Sequence, residues 1–447
     1  MKAIILSVDI GSSSLKAAYI DQDGKLLAYA RESYADMKAQ GTAAWERAFA
    51  LSLEKLRALA PGFAPDAVCI SGNGPTLVPV KANNGNLTPL YWYGNKKPLS
   101  AKNEKAASSF FLSHVAWFME NAPNEYEKVK YFFSSHEWLA ARLGAEAFTA
   151  LPSLSYEPYY WDEEQCGLCG IEMGKFPPFI KMGSAAGRVS AEAAFLFGSN
   201  MNLKSGIPII AGGPDFITAL IGTGVQKPGD VCDRAGSSEG INVCGDKPVK
   251  TDGLRVLPHA IEGLWNISVL IPSSGRLFEE YRLDSGQQNR PYEDLLAELI
   301  PSWIIAPCSP LPTASFKLNK GRKVLCAMGF AVRSALETLG NAGLLVKEMR
   351  LSGGQGRNAG WNQLKADLTG VSLLVPEIPD GELAGNAVLA AAALDGVSVE
   401  EAANRMIRIR EVYSPLNPEY WEEKFSQKKS YKNTSNFRSA VQRRKEY

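Results

Sequence analysis

Histidine is scarce in this chain: 447 residues hold three, His114, His136 and His259, too far apart to pair as zinc ligands. Cysteine is scattered and odd in number, seven in all, which argues against a disulfide framework. Cys166 and Cys169 form a lone CxxC with no second pair beside it, and read as free thiols in a loop. Charge of one sign is also lacking. The 48 Lys and Arg nearly cancel 47 Asp and Glu, so a net charge of +1 offers no field to draw in nucleic acid or an acidic membrane. No apolar run approaches the roughly 18–20 residues that span a bilayer. The opening stretch Met1 to Val8 is short, is interrupted by Asp9, and has no small-residue cleavage site after it. The expectation is a cytoplasmic protein with neither nucleic-acid nor membrane partners.

What is present is ordinary globular composition, 45% hydrophobic and 21% charged, over a length too great for one core. Since single domains run to about 100–200 residues, two large lobes are expected. Ile4 to Ile10 is an apolar β run, Gly11 to Ser14 a small-residue turn, and Leu15 to Ile20 a second β run. Asp23-Gly24 marks another tight turn before a third strand, Leu26 to Tyr34. A helix over Ala44 to Leu59 and strands at Ala67 to Ser71 and Leu77 to Val80 follow, with Asn73-Gly74-Pro75 between the strands. Ser108 to Leu143 reads as helical with one break at Ala122-Pro123, and Leu151 to Gly187 as irregular. Asp230 to Gly245 repeats the opening theme, strand, Gly236-Ser237-Ser238 turn, strand. The expected division is an N-terminal lobe 1–227, a C-terminal lobe 228–425 and a solvated basic tail 426–447.

Three pieces carry chemistry. Asp9 closes a buried strand ahead of Gly11, Ser12, Ser13, Ser14 and Lys16. Glycine admits a tight turn, hydroxyls and backbone N–H groups suit phosphate oxygens, and a carboxylate at the strand end suits Mg²⁺. Gly212-Gly213-Pro214-Asp215 sets a carboxylate just past another apolar strand, where it can accept a hydroxyl proton or, alternatively, cap a helix. Ser352 to Asn358 is a Gly-rich loop between a strand and a helix, against which a flat nucleoside could lie.

The combination resembles the FGGY carbohydrate kinases of the actin/Hsp70/hexokinase-like superfamily, over roughly residues 3 to 425. Asp9 to Lys16 looks like the family's first phosphate motif, Asn124 to Leu139 like its mid-lobe segment, and Gly213 to Asp215 like the turn bearing its base. Ala235 to Ser238 resembles the second phosphate motif, Leu351 to Gly356 with Trp361 and Asp367 the adenosine stretch, and Ala384 to Ala387 the helix start after it. The resemblance implies an α/β protein of two ribonuclease-H-like (actin-like ATPase) lobes with the active site in the cleft between them, phosphorylating a sugar or polyol hydroxyl with ATP and Mg²⁺. Asp215 would be the base and Asp9 the metal carboxylate. Gly11, Ser12, Ser13, Ser14, Lys16, Gly236, Ser237 and Ser238 would hold phosphate, and Gly353, Gly354, Gln355 and Asn358 the nucleoside. Asn73, Tyr93, Asn95 and Asp215 would line the small-molecule carbohydrate site, with Trp92 read as core; a homodimer stays open.

Departures concentrate on the substrate side. Asn73-Gly74-Pro75 and Tyr93-Gly94-Asn95-Lys96-Lys97 stand where the family carries other polar side chains, and Ala150 where an acidic residue is usual. A nucleotide sensor without turnover and an ATPase without a sugar substrate are therefore the alternatives. Glu239, just past the second turn, would repel phosphate unless it points away or meets a cation.

Overall fold

Strand β1 (Ile4–Ile10) is a run of β-branched and aliphatic residues, six of its seven buried, and it lies centrally because both its edges are paired. In the computed structural model, which describes residues 2–37, 40–83, 85–97, 104–198, 203–236, 238–272, 274–300 and 316–434, the chain turns back from β1 into β2 (Ser14–Asp21) and again into β3 (Leu26–Ser33). Strand β4 (Ala67–Gly72) then pairs parallel to the free edge of β1 after helix α1 (Thr42–Leu59), whose Trp45, Ala48, Phe49, Ser52, Leu53 and Leu56 form a buried stripe. Strands β5 (Leu77–Lys81) and β6 (Val129–Ser134) make a small antiparallel pair, and β7 (Thr149–Leu151) and β8 (Phe179–Lys181) a parallel one. With β9 (Ala185–Arg188) and β10 (Pro208–Ile210) the first large sheet runs β3-β2-β1-β4-β10-β9.

The second sheet repeats this plan. Strands β11 (Val231–Ala235) and β12 (Glu239–Gly245) form its hairpin, β13 (Arg255–Pro258) and β14 (Trp265–Ile271) extend it, and β15 (Glu348–Ser352), β16 (Ser372–Pro376) and β17 (Ile409–Tyr413) complete the order β13-β14-β12-β11-β15-β16-β17. Taking β11, β12, β14, β15 and β16 as strands one to five gives the same 3-2-1-4-5 core order as the first sheet, the ribonuclease-H-like arrangement in both domains.

Some expectations change. Ser108 to Leu143 is not helical throughout, because β6 intervenes before helix α2 (Ser135–Leu143). The turn from β6 into α2 is fixed by a capping box between Ser134 and Glu137. Cys166 and Cys169 lie on a helix, α3 (Glu163–Cys169), rather than in a loop, and are free thiols. The basic tail continues a helix, Pro418–Thr434, and its remainder lies outside the described residues, as does Ser237.

Helix α4 (Asp215–Gly222) leads out of β10, and the second half of the chain adds α5 (Phe316–Asn341), α6 (Ala359–Thr369) and α7 (Gly381–Asp395). Helix α7 packs on the first sheet, against β1, β2 and β4, although its sequence comes after β16. It crosses α4 at a backbone-to-backbone contact that only glycine allows. A Cβ on Gly385 would lie 1.9 Å from the Thr218 carbonyl oxygen, and one on Gly222 would lie 1.9 Å from that of Gly381. Gly385→Val should therefore cost about 3 kcal/mol of stability through overpacking, read from the urea midpoint.

Candidate active site

The ends of β1 and β4 lie side by side, with Asp9 in register with Ser71. Ser71 Oγ donates to Asp9 Oδ1 at 2.9 Å, and Asn386 Nδ2 of α7 donates to Ser71 Oγ at 3.0 Å and to the Val8 carbonyl at 2.8 Å. Asp9 is almost fully buried, 3% exposed, and desolvation pushes its pKa up to about 7; Lys16 opposes the rise, while Glu382 and Asp215 add to it. Lys16 faces Asp9 across the hairpin, its Nζ 3.8 Å from Asp9 Oδ2, 3.0 Å from Asp380 Oδ1 and 3.8 Å from Glu382 Oε2. Burial alone would lower the pKa of Lys16, but Glu382, Asp380 and Asp9 together raise it.

Asp215 opens helix α4 directly after the Gly212-Gly213-Pro214 turn, where Pro214 bridges to Gly72 at the end of β4. Its Oδ1 accepts from its neighbour's backbone, Phe216 N, at 2.7 Å, and its Oδ2 accepts from Arg234 Nη2 at 2.8 Å. Burial raises the pKa of Asp215 and the Arg234 guanidinium counters it. Arg234 comes from β11 of the second sheet, and its Nε lies 3.5 Å from Glu382 Oε1. Asp380 is also paired with Arg357 and is held below the usual carboxylate range by Lys16 and Arg357 despite its burial. Four carboxylates and three cations from both sheets thus converge between the two hairpin turns.

Those turns are built alike. Gly11 N donates to Ser14 O at 3.0 Å, and Gly236 N to Ser238 O at 2.8 Å. Ser12 and Ser13 are exposed, as are Gly236 and Ser238, whereas Ser14 is buried and its Oγ accepts from Arg31 Nε at 3.1 Å. Glu239 turns away from the second turn into the core and is ion-paired with Lys365 of α6, which also takes Asp233. The cation that its position called for is therefore a buried lysine. Gly353 has φ +105°, and a Cβ there would sit 2.1 Å from Ala235 O, so the Gly-rich loop lies directly against the second turn. Gly354 is open, while Gln355 Oε1 accepts from Trp361 Nε1 at 3.0 Å and Asn358 Oδ1 caps α6 by accepting from Trp361 N at 2.8 Å.

Of the residues expected to line the carbohydrate site, Asn73 is buried and its Oδ1 has no partner among the described residues. Trp92 is not core: it is 43% exposed, and its Nε1 donates to Ser12 Oγ at 3.4 Å, beside the first turn. Tyr93 is exposed and stacks on Tyr91 at 5.2 Å, and the Asn95 carbonyl lies 3.0 Å from His114 Nδ1. No contact joins Tyr93 or Asn95 to Asp215 among the described residues. Ser71, Arg234, Asp380, Glu382 and Lys365 were not anticipated. The only local signals were Asp233-Arg234 inside an apolar strand and Asp380-Gly381-Glu382 ahead of a small-residue helix.

Behind Asn73, His136 is buried with neither ring nitrogen hydrogen-bonded among the described residues, and desolvation lowers its pKa to about 3. Glu137 accepts from Ser134 N and Ala150 N, at 2.7 and 2.8 Å, yet burial raises it to about 7. The unfolded chain binds a proton at His136 that the folded chain refuses, so this residue adds stability as pH rises from about 3 to 6.5. Glu137 and Asp9 act the other way, since the folded chain keeps protons that the unfolded chain releases, and stability falls as pH rises from about 4 to 7. His136→Phe removes the opposing slope. Denaturant titrations between pH 4 and 6.5 should show stability falling more steeply than in the parent, by on the order of 1 kcal/mol per pH unit.

Comparison with known proteins agrees with this geometry. The N-terminal domain of the FGGY family of carbohydrate kinases matches residues 87–222, and its C-terminal domain matches residues 309–394. An L-fuculokinase of Salmonella typhi is 25% identical, covering 86% of this chain and 91% of its own. A xylulose kinase of Staphylococcus epidermidis is 20% identical, with 93% of each chain covered. Among solved structures, a xylulose kinase from Rhodospirillum rubrum superposes with a TM-score of 0.70 at 18% identity, over 96% of this chain and 98% of the other. Plasmodium falciparum glycerol kinase with ADP superposes with a TM-score of 0.73 at 16% identity, over 99% and 98%. These superpositions share the paired-sheet fold. With both family domains matched in order, one before and one after the junction of the two sheets, the chain belongs to the FGGY family of carbohydrate kinases.

Proposed function

We propose that this protein transfers the γ-phosphoryl group of ATP to a hydroxyl of a sugar, polyol or related carbohydrate. The observation that supports it most is the meeting of Asp9 and Asp215 in one charged network between two open Gly/Ser turns. In this reading Asp215 takes the proton of the accepting hydroxyl, whose oxygen bonds to the γ-phosphorus as the β–γ bridging bond breaks and ADP leaves. Such a transfer needs positioning and charge neutralisation more than covalent help. The exposed hydroxyls of Ser12, Ser13 and Ser238 are offered to phosphate on turns closed by the Gly11 and Gly236 N–H groups, with Ser237 between Gly236 and Ser238. Gly353 and Gly354 give the nucleoside a flat backbone surface. Asn73, whose side-chain Oδ1 has no partner among the described residues, Tyr93 and Asn95 face the carbohydrate.

Mg²⁺ fits the donor set. Among the described residues no group of three metal-ligating side chains is placed to hold an ion alone, but an ion carried by nucleotide phosphates needs only one or two carboxylates. Asp9, buried beside two further carboxylates and raised in pKa, is such a group. The ion would supply charge neutralisation on the phosphate oxygens, while Asp9 orients it. The lobes are taken as 1–227 and 228–425, and dependence on ATP favours the cytoplasm.

The test is an ATP-consumption screen against neutral ketoses, polyols and their acid derivatives, with and without Mg²⁺ and with Asp215→Asn as control. Turnover that needs Mg²⁺ and vanishes in the control is the expected result. Equal turnover in the control would remove Asp215 from its role.

A further inference from the structure

Arg255 differs from the cations of the charged network in having no carboxylate paired with it among the described residues. It opens β13, and more than a third of its side chain is exposed. Its guanidinium carbon lies 5.5 Å from the centroid of Phe110 and 5.9 Å from that of Phe216. Phe216 is the residue after Asp215 and donates its N–H to that carboxylate. Among the described residues the Arg255 guanidinium makes no salt bridge and no hydrogen bond. The ionisable groups that act on it are the tyrosines Tyr156 and Tyr159, and burial works against its charge. The cations of the charged network are all committed: Lys16 to Asp9, Asp380 and Glu382, Arg234 to Asp215 and Glu382, and Arg357 to Asp380.

The position is held by the segment that follows β7 and by the β13–β14 hairpin. The 3-10 turn Leu154–Tyr159 is tied to the β13–β14 hairpin by Ser153 Oγ donating to the His259 carbonyl at 2.9 Å, Ser155 Oγ to Glu262 Oε1 at 2.6 Å, and Leu154 N to Glu262 Oε2 at 3.2 Å. That clasp sets Tyr156, 1% exposed and with its hydroxyl unpartnered among the described residues, near Arg255. A contact through aromatic faces satisfies the cation's charge in part but uses none of its five N–H donors. A guanidinium left with free in-plane donors is matched by a carboxylate, which accepts two parallel hydrogen bonds.

We propose that Arg255, backed by the buried Tyr156, forms an anion subsite near the base, and that the carbohydrate phosphorylated here carries a carboxylate, as an aldonic acid does. The assignment rests on the kinase reading and narrows its substrate class. An arginine fork also pairs bidentately with phosphate, so a sugar phosphate is the other source of the same chemistry.

The experiment is calorimetric titration of the full chain, with a non-hydrolysable ATP analogue and Mg²⁺ present, using an aldonate series, the matching neutral polyols and their phosphate monoesters. It is repeated on Arg255→Met and Arg255→Lys, and turnover is measured in parallel. Aldonate binding is expected in the parent, weaker by about 10- to 100-fold in Arg255→Met and partly restored in Arg255→Lys, with affinity for the nucleotide unchanged. Exposed Arg255 is not part of the core, so unchanged melting of both variants is expected. Tighter binding of neutral polyols, absence of aldonate binding, or an aldonate affinity unaffected by Arg255→Met would overturn the subsite. A preference for phosphate monoesters with the same Arg255 dependence would keep an anion site and overturn the carboxylate. Binding that depends on Arg255 without any turnover would count against the kinase reading instead, so the two failures are separable.

Discussion

Asp215→Asn should lower kcat by about 10³-fold while leaving Mg-ATP binding nearly intact. Asparagine is the better probe than alanine because its carbonyl can still accept from Arg234, so the network keeps its shape while the proton acceptor is lost. Asp215 is suited to the role by two opposed influences. Burial raises its proton affinity towards that of a working base, and the guanidinium 2.8 Å away favours its ionised form. Pre-steady-state measurement of phosphorylated product separates this from a binding defect. A variant with normal single-turnover rates would assign proton removal elsewhere.

Lys365→Met is expected to destabilise the protein by about 4 kcal/mol, the largest effect of any single change away from the cleft. Lys365 is 1% exposed and is the cation for two buried carboxylates, Asp233 on β11 and Glu239 on β12. Burial and the adjacent Glu239 charge raise Asp233 well above its ordinary range; burial also opposes ionisation of Glu239, but Lys365 and its hydrogen-bond partners hold that group low. Among the described residues, Lys365 is the one cation facing both groups. Removing the lysine leaves a carboxylate uncompensated in the core of the hairpin that carries the second Gly/Ser turn. The combined variant Asp233→Asn, Glu239→Gln, Lys365→Met should recover much of the loss, because no buried charge remains. Equal melting temperatures for Lys365→Met and the parent would show that the triad contributes nothing.

Both hairpins were legible in the sequence because an apolar β run, a Gly/Ser turn and another β run are local signals. The same holds for Asp9 and Asp215, each placed by the strand before it. Strand β6 was not legible: Val129–Ser134 lies between helical stretches whose apolar spacing continues through it, and only pairing with β5 makes it a strand. Trp92 was misread because a tryptophan flanked by tyrosines looks like core, whereas its indole N–H meets a serine 80 positions earlier. The partners that tune the site were hidden for a related reason. Asn386 reaches Val8 across 378 positions and Lys365 reaches Glu239 across 126, distances over which spacing in the chain carries no information.

Helix α7 has a consequence for biosynthesis. The face of the first sheet that it covers is assembled by residue 210, yet Leu383, Ala387 and Val388, which seal that face, are made about 170 residues later. At ribosomal rates that interval is roughly 10 to 30 s. Throughout it the nascent N-terminal half carries an open surface over Ile5, Ile20 and Cys69, one that a holdase can occupy and that a separately expressed N-terminal fragment would leave uncovered.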